Sequence, residues 1–170
     1  VNGYGNGNIT LRLARDENFE GIWPILRSVI RAGETYAIDP QISRDGAFDL
    51  WMQSPRATYV AEVGGEILGT YYIKTNHAGG GAHVCTCDYL VAEAARGQGL
   101  AAWMCEHSQA EALKLGYRAM QYNLVLSTNT HAVHLSHKLG FDTVGRLPTA
   151  FDHPKMGLID ALVMYKWLEF

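Results

Sequence analysis

A strand pattern, two closely spaced glycines and a helix pattern follow one another at the centre of this chain. His83, Cys85, Cys87 and Tyr89 alternate with Val84, Thr86, Asp88 and Leu90, so residues 83–91 read as a strand with two distinct faces. Ala101, Met104, Cys105, Ser108, Ala112 and Leu115 recur at steps of three, four and seven, which is the buried stripe of a helix. Gly116 suits the position just past its end. Between strand and helix lies Arg96-Gly97-Gln98-Gly99-Leu100-Ala101. The first N–H groups of a helix have no intrahelical partner and carry partial positive charge. Glycine at 97 and 99 lets the backbone turn tightly and approach phosphate oxygens, and Arg96 adds a full charge. A diphosphate is the expected guest, and an ordinary glycine-rich turn is the plain alternative. No Gly-Lys-Ser/Thr follows, so this is not a Walker A loop; the third glycine of a dinucleotide fingerprint is also missing.

The rest of the chain alternates in the same way. Residues 9–13 predict a first strand, and Asp16 is the expected N-cap of a helix carried by Phe19, Ile22, Trp23, Leu26, Val29 and Ile30. Pro24 fits that helix only in its first turn or at a kink. A second helix is expected over 45–53. Residues 58–63 and 67–74 flank Gly64-Gly65 and predict a hairpin. A fifth strand is expected over 119–125, a short helix capped by Asn129 or Thr130 runs to Leu139, and residues 141–147 and 158–167 are the last two strands. The order is that of an α/β domain with a mixed sheet over residues 9–168, preceded by a Gly/Asn-rich arm at 1–8 expected to be flexible.

Composition narrows the partners. A formal net charge of -3 gives no general pull toward nucleic acid. No apolar run approaches the ~18 residues of a membrane span, and no secretion leader is expected. The three cysteines, an odd count with two of them one residue apart, fit a reducing cytoplasm rather than a disulfide framework. His83, Cys85 and Cys87 share a strand face, and His131, His134 and His137 recur at steps of three. Neither set has a metal-site spacing, so no metal is expected.

R-G-Q-G-L-A resembles the Q/R-x-x-G-x-G/A motif of the GCN5-related N-acetyltransferase superfamily. Asn129-Thr130-His131-Ala132-Val133-His134-Leu135 resembles that family's N-x-x-A-x-x-L, and Lys138-Leu139-Gly140-Phe141 its K-L-G-F. The resemblance spans roughly residues 9–168. It implies a mixed, mostly antiparallel twisted sheet of about seven strands, splayed between strands 4 and 5 and flanked by about four helices. It implies acetyl-CoA as co-substrate, with the pantetheine arm along the backbone of Leu90 and Val91. The pyrophosphate would lie on the turn of Arg96, Gly97, Gln98, Gly99, Leu100 and Ala101. Asn129 would touch the pantetheine arm or support the turn; the plainer role is a helix cap. Homodimers are common in that family.

Within the family the chain is most similar to the proline-analogue acetyltransferases that detoxify azetidine-2-carboxylate. The likeness lies in Tyr72-Ile73-Lys74, Met120-Gln121-Tyr122-Asn123, Ser127-Thr128-Asn129-Thr130 and the tail from His153 to Lys166. Phosphinothricin-type enzymes are a more distant likeness. This implies acetylation of a small-molecule amine, an amino acid or analogue, with substrate contacts at Thr86 and Asn123. That branch tends to have asparagine where this chain has Thr86. A protein N-terminal acetyltransferase and a non-catalytic CoA-binding module are the competing readings.

Acetyl transfer needs a neutral amine, a base to make it and a donor for the leaving thiolate. Many family members carry glutamate where this chain has Cys85, and tyrosine where it has Ser136. Asp88 is then the candidate base, acting through water, or else a structural carboxylate. Asn123 is the candidate for orienting the acceptor. The aromatic, His- and Pro-containing segment 151–158 is expected to close the site over a small molecule.

Overall fold

Gly64 and Gly65 both take positive φ, 55° and 85°, as two-residue hairpin turns demand. They join β2 (Ala57–Val63) to β3 (Glu66–Thr75). The computed structural model describes residues 8–169, so the arm expected at 1–8 lies outside the described residues except for Asn8. The remaining strands are β1 (Thr10–Leu13), β4 (Val84–Val91), β5 (Ala119–Leu126), β6 (Asp142–His153) and β7 (Gly157–Trp167). The helices are α1 (Phe19–Ala32), α2 (Arg44–Phe48), α3 (Leu100–Lys114) and α4 (Thr130–Lys138). All seven strands form one sheet of order β1-β2-β3-β4-β5-β7-β6. Every neighbouring pair is antiparallel except β4 and β5.

Strand alternation sends residues to two cores. Tyr71, Cys85, Cys87 and Met120 pack on the α3 face with Leu100, Met104 and Cys105. Val60, Tyr72 and Leu90 pack on the other face with Phe19, Ile22, Leu26 and Trp51. The β4–β5 pairing consists of Val84↔Ala119 and Cys85↔Met120 alone. Beyond it the strands part, and β5 stays with β7, bulging between Tyr122 and Val125. This is the splay the resemblance implies, between the fourth and fifth strands.

Four local expectations need correction. Asp16 does not cap α1: it lies inside a 3-10 turn, Asp16–Asn18, and Asn18 closes that turn by accepting the Arg15 N–H at 2.7 Å. Pro24 sits within α1 on its exposed side, where the carbonyl left without a donor can meet water. The helix expected over 45–53 is α2 followed by a π-helical segment, Asp49–Gln53, and Ser43 caps it by accepting from Gly46 N at 3.0 Å. β6 also runs past Pro148, where the sequence pattern stops. The register breaks between Leu147 and Phe151, Thr149 takes a φ of 48°, and its N–H donates to Asp160 Oδ1 at 2.9 Å. A bulge on an edge strand absorbs the proline.

Candidate active site

The turn expected to hold phosphate follows a 3-10 turn at Glu93–Ala95. Gly97 and Gly99 take φ of 75° and 85°, and a Cβ at either would meet nothing within 4 Å. Gly99 is the N-cap residue of α3, and no side chain caps that helix. Leu100 anchors the turn from below with 1% of its surface exposed. Gly69 on β3 lets α3 come this close: a Cβ there would lie 3.0 Å from Leu100 Cδ2 and 3.1 Å from Met104 Cε. The result is an exposed cradle of helix N–H groups with Arg96 beside it and open space above both glycines. These features fit a diphosphate. Leu90 and Val91 pair with Thr70 and Gly69 of β3 and have no β5 partner on their other side.

Two cavities open where β4 and β5 part. One, of about 250 Å³, runs between the strands under α4 and is lined by Cys87, Tyr89, Tyr122, Asn129 and Ser136 among others. The second, of about 370 Å³, is lined by Trp51, Tyr72, Lys74, Asn76 and Thr86 among others. Thr35, Tyr36, Asp88, Asn123 and Leu124 line both. Asp88 therefore stands where the two spaces meet. Its carboxylate accepts a hydrogen bond from the Tyr72 hydroxyl. Burial pushes the Asp88 carboxyl up to about 6, while the Tyr72 bond and the Lys74 charge pull it the other way.

The positions where a base and an acid are usual behave differently. Cys85 is fully buried on the α3 face, away from the side of β4 that carries Asp88. Ser136 lines the first cavity, but its hydroxyl donates to Ala132 O at 2.8 Å. Beside it, the Tyr122 hydroxyl shares hydrogen bonds with Tyr89 at 2.9 Å and Cys105 Sγ at 3.1 Å, and Tyr89 with Ser108 at 2.7 Å. Burial pushes the Tyr89 and Tyr122 phenols well above their usual range, so both stay protonated. Sequence reasoning assigned no role to Tyr36, whose hydroxyl donates to the Tyr89 carbonyl on the opened edge of β4. Tyr36 lies in the α1–α2 connection, where no periodicity marks it.

Asn123 is held on both sides of its amide: Oδ1 accepts from Gln121 at 2.9 Å, and Nδ2 donates to Asn76 Oδ1 at 2.7 Å. Thr86 lines the second cavity opposite Lys74. Asn129 caps α4, accepting from Ala132 N at 3.2 Å, and also lines the first cavity. Asn129→Ala should cost about 1 kcal/mol of stability, read as a lower Tm. Its effect on CoA affinity by calorimetry then separates a cap from a ligand contact.

The 151–158 segment lines neither cavity. It acts one step removed. His153 Nδ1 accepts the N–H groups of Lys155 and Met156 at 3.1 and 3.2 Å, which shapes the β6–β7 turn. The Lys155 ammonium then lies 2.9 Å from Glu34, next to Thr35 and Tyr36. This exposed ion pair links the tail to the loop that walls both cavities. Among the described residues no group of three or more His, Cys, Asp or Glu is placed to hold a metal ion. None of their helices is long and apolar enough to cross a membrane.

The model of the Acetyltransferase (GNAT) family matches residues 19–141. A solved GCN5-related N-acetyltransferase from Kribbella flavida is 39% identical, with a TM-score of 0.89, over 94% of this chain and 98% of that one. A phosphinothricin acetyltransferase from Sinorhizobium meliloti, solved with acetyl-CoA, shares the fold at 19% identity and a TM-score of 0.81, over 95% of this chain and 89% of that one. The N-acetyltransferase aca1 of Schizosaccharomyces pombe is 28% identical over an alignment of 137 residues that covers 71% of this chain and 66% of aca1.

Proposed function

The chain belongs to the acetyltransferase (GNAT) family, and on that footing we propose that it transfers the acetyl group of acetyl-CoA to the amine of a small molecule, an amino acid or amino-acid analogue. The observation that carries this reading is Asp88, an enclosed carboxylate at the junction of two cavities. The smaller space reaches Ala101 at the start of α3 and suits the thioester end of CoA. The wider, polar one suits the acceptor.

Bound acetyl-CoA supplies the thioester carbonyl that the amine attacks. The residues of this chain do the rest. An aliphatic amine is mostly protonated at neutral pH, and freeing its lone pair costs about 4 kcal/mol. Asp88, ionised above about pH 6, accepts that proton directly or through one water. Tyr72 steadies the carboxylate by its hydrogen bond. Asn123, clamped between Gln121 and Asn76, orients the acceptor. Backbone along the opened edge of β4, at Leu90 and Val91, aligns the pantetheine arm, and the turn from Arg96 to Ala101 holds the pyrophosphate. The leaving thiolate takes its proton from water, since the Ser136 hydroxyl donates to Ala132 and the Tyr89 and Tyr122 hydroxyls are engaged with one another, Ser108 and Cys105.

Thr86 stands where the proline-analogue branch tends to have asparagine. The proposed acceptor is therefore the broader class of amino acids and analogues rather than azetidine-2-carboxylate in particular. Three buried free thiols fit work in a reducing cytoplasm, and the family likeness favours a homodimer. The test is thiol release from acetyl-CoA across an amine panel that includes proline analogues, phosphinothricin and short peptides. Amine-dependent release on amino acids is expected. A flat response to every amine would point to a CoA-binding module, and a preference for peptides to a protein N-terminal acetyltransferase.

A further inference from the structure

The cavity of about 370 Å³ proposed to take the acceptor already contains an amine. Of the five lysines in the chain, only Lys74 lines either cavity. It is half-buried on β3, and its ammonium has no hydrogen-bond or ion-pair partner among the described residues. Lys114, Lys155 and Lys166 are held by Glu111, Glu34 and Gln109. Lys74 shares a sheet face with Tyr72, and its register row, Lys74↔Thr86, is next to the row Tyr72↔Asp88. Same-face rows along a strand are about 7 Å apart, and an extended lysine stem carries its nitrogen about 6 Å from Cα. The nitrogen can therefore reach the carboxylate where the two cavities meet, and its charge already acts on that carboxyl. A second observation concerns Asn76, two residues on in the same cavity. Its Oδ1 accepts from Asn123, and its buried Nδ2 has no hydrogen-bond partner among the described residues. Such groups are rare in folded proteins and call for an explanation. A lysine ammonium has three donors and no hydrogen-bond acceptor, so Lys74 cannot satisfy it. An amide at the end of the same stem carries a carbonyl that can.

We propose that Lys74 is a self-acetylation site: when no other amine is present, the chain transfers the acetyl group of its own bound acetyl-CoA to Lys74 Nζ. This rests on the acetyltransferase reading and adds to it an acceptor within the chain. Asp88 takes one proton from the ammonium, directly or through one water. The freed lone pair attacks the thioester carbonyl, the C–N bond forms and the C–S bond breaks. The nitrogen gives a second proton to water, and the leaving thiolate takes one from water. The products are acetyl-Lys74, free CoA thiol and one proton in solution. The acetylated stem has lost its charge, fills part of the cavity and offers its carbonyl to Asn76 Nδ2. The chain thus limits its own turnover when acceptors are scarce.

The experiment incubates the purified chain with acetyl-CoA and no added amine, and follows intact mass, free thiol and the acetylated peptide. The expected result is a single acetyl group on Lys74, matched by an equal amount of thiol, at a rate independent of protein concentration. Lys74 should react at least about 100-fold faster than the exposed Lys138, because an amine held near the thioester gains effective molarity. Lys74→Arg should take up no acetyl group at this position while keeping its CoA affinity by calorimetry. Prior incubation with acetyl-CoA should cut the amine-dependent rate of the wild type at least about tenfold and leave that of Lys74→Arg at its own starting value. Lys74 left unmodified, or modified no faster than Lys138, while an amine of the panel turns over, overturns self-acetylation and leaves the acetyltransferase standing. A rate proportional to protein concentration overturns transfer within one chain. Acetyl-Lys74 without turnover of any panel amine upholds the inference and overturns the small-molecule reading. Neither acetyl-Lys74 nor amine turnover overturns both.

Discussion

Gly99→Glu is expected to abolish CoA binding, with affinity by calorimetry at least about 100-fold weaker. Two effects act in the same direction. Residue 99 takes a φ of 85° with open space around its missing Cβ, so a side chain there enters the space in which the proposed diphosphate would lie. Its carboxylate then meets phosphate oxygens, and two like charges about 4 Å apart near a protein surface repel by roughly 4 kcal/mol, close to a thousandfold. The left-handed backbone costs a further ~1–2 kcal/mol of fold stability, which a Tm comparison detects separately. Gly99→Gln carries the same strain and bulk without the charge and should lose markedly less affinity. Unchanged affinity in the glutamate variant would remove the pyrophosphate from this turn.

Asp88→Asn is the second large effect. A general base is worth typically 10²–10⁴ in rate, so kcat should fall by about that factor with little change in CoA affinity. The wild-type rate should rise with pH through about 6 as the carboxylate ionises, and the variant should lose that limb. Stability moves the opposite way. The folded value, about 6, lies above the unfolded value near 4. The folded state therefore holds the extra proton between them. The stabilisation is fully present below about pH 4 and is lost as pH rises through about 6, by a few kcal/mol at most. Asparagine has no charge to bury and can still accept from Tyr72. Asp88→Asn should accordingly melt higher than wild type at pH 8 and show no such gain below pH 4. Unaltered kcat together with a retained pH limb would return Asp88 to a purely structural role.

Much of the fold was legible in residues close together in the chain. The period of two that separates Cys85 and Cys87 from Thr86 and Asp88 placed them on opposite faces of β4, and they pack there. The glycines at 97 and 99 and the stripe from Ala101 to Leu115 marked the turn and α3 correctly. Asn129 read as a cap and is one. The misses are equally local in cause. The strand expected to end at Leu147 continues, because a bulge carries β6 past Pro148. Asp16 has the composition of a cap, yet it lies inside a 3-10 turn, and the Asn18 side chain that follows bonds back to the Arg15 N–H instead of capping α1.

The site was legible only in part. Strand alternation places Asp88 and Asn123 on their strands, but it does not show that both line the two cavities where β4 and β5 part. Tyr36 carried no signal, because a loop tyrosine has no periodic partners to reveal where its hydroxyl goes. The amide chain from Gln121 to Asn76 spans 47 residues between Asn76 and Asn123, and the ion pair from Lys155 to Glu34 spans more than twice that. Nothing in either segment names the other.

The sequence by itself determined the turn proposed to hold CoA: two glycines between a strand and a helix set its φ angles and free N–H groups, which depend on a few neighbouring residues. Only the tertiary structure decided what stands beside it. The Asp88 carboxyl is pushed toward neutrality by burial beneath elements distant in the chain, and the Asn76 donor is orphaned by the register of β3 with β4 and by its bond to β5. Desolvation and hydrogen-bond satisfaction depend on everything that surrounds a group, whereas turn and helix-end chemistry depend on what precedes and follows it.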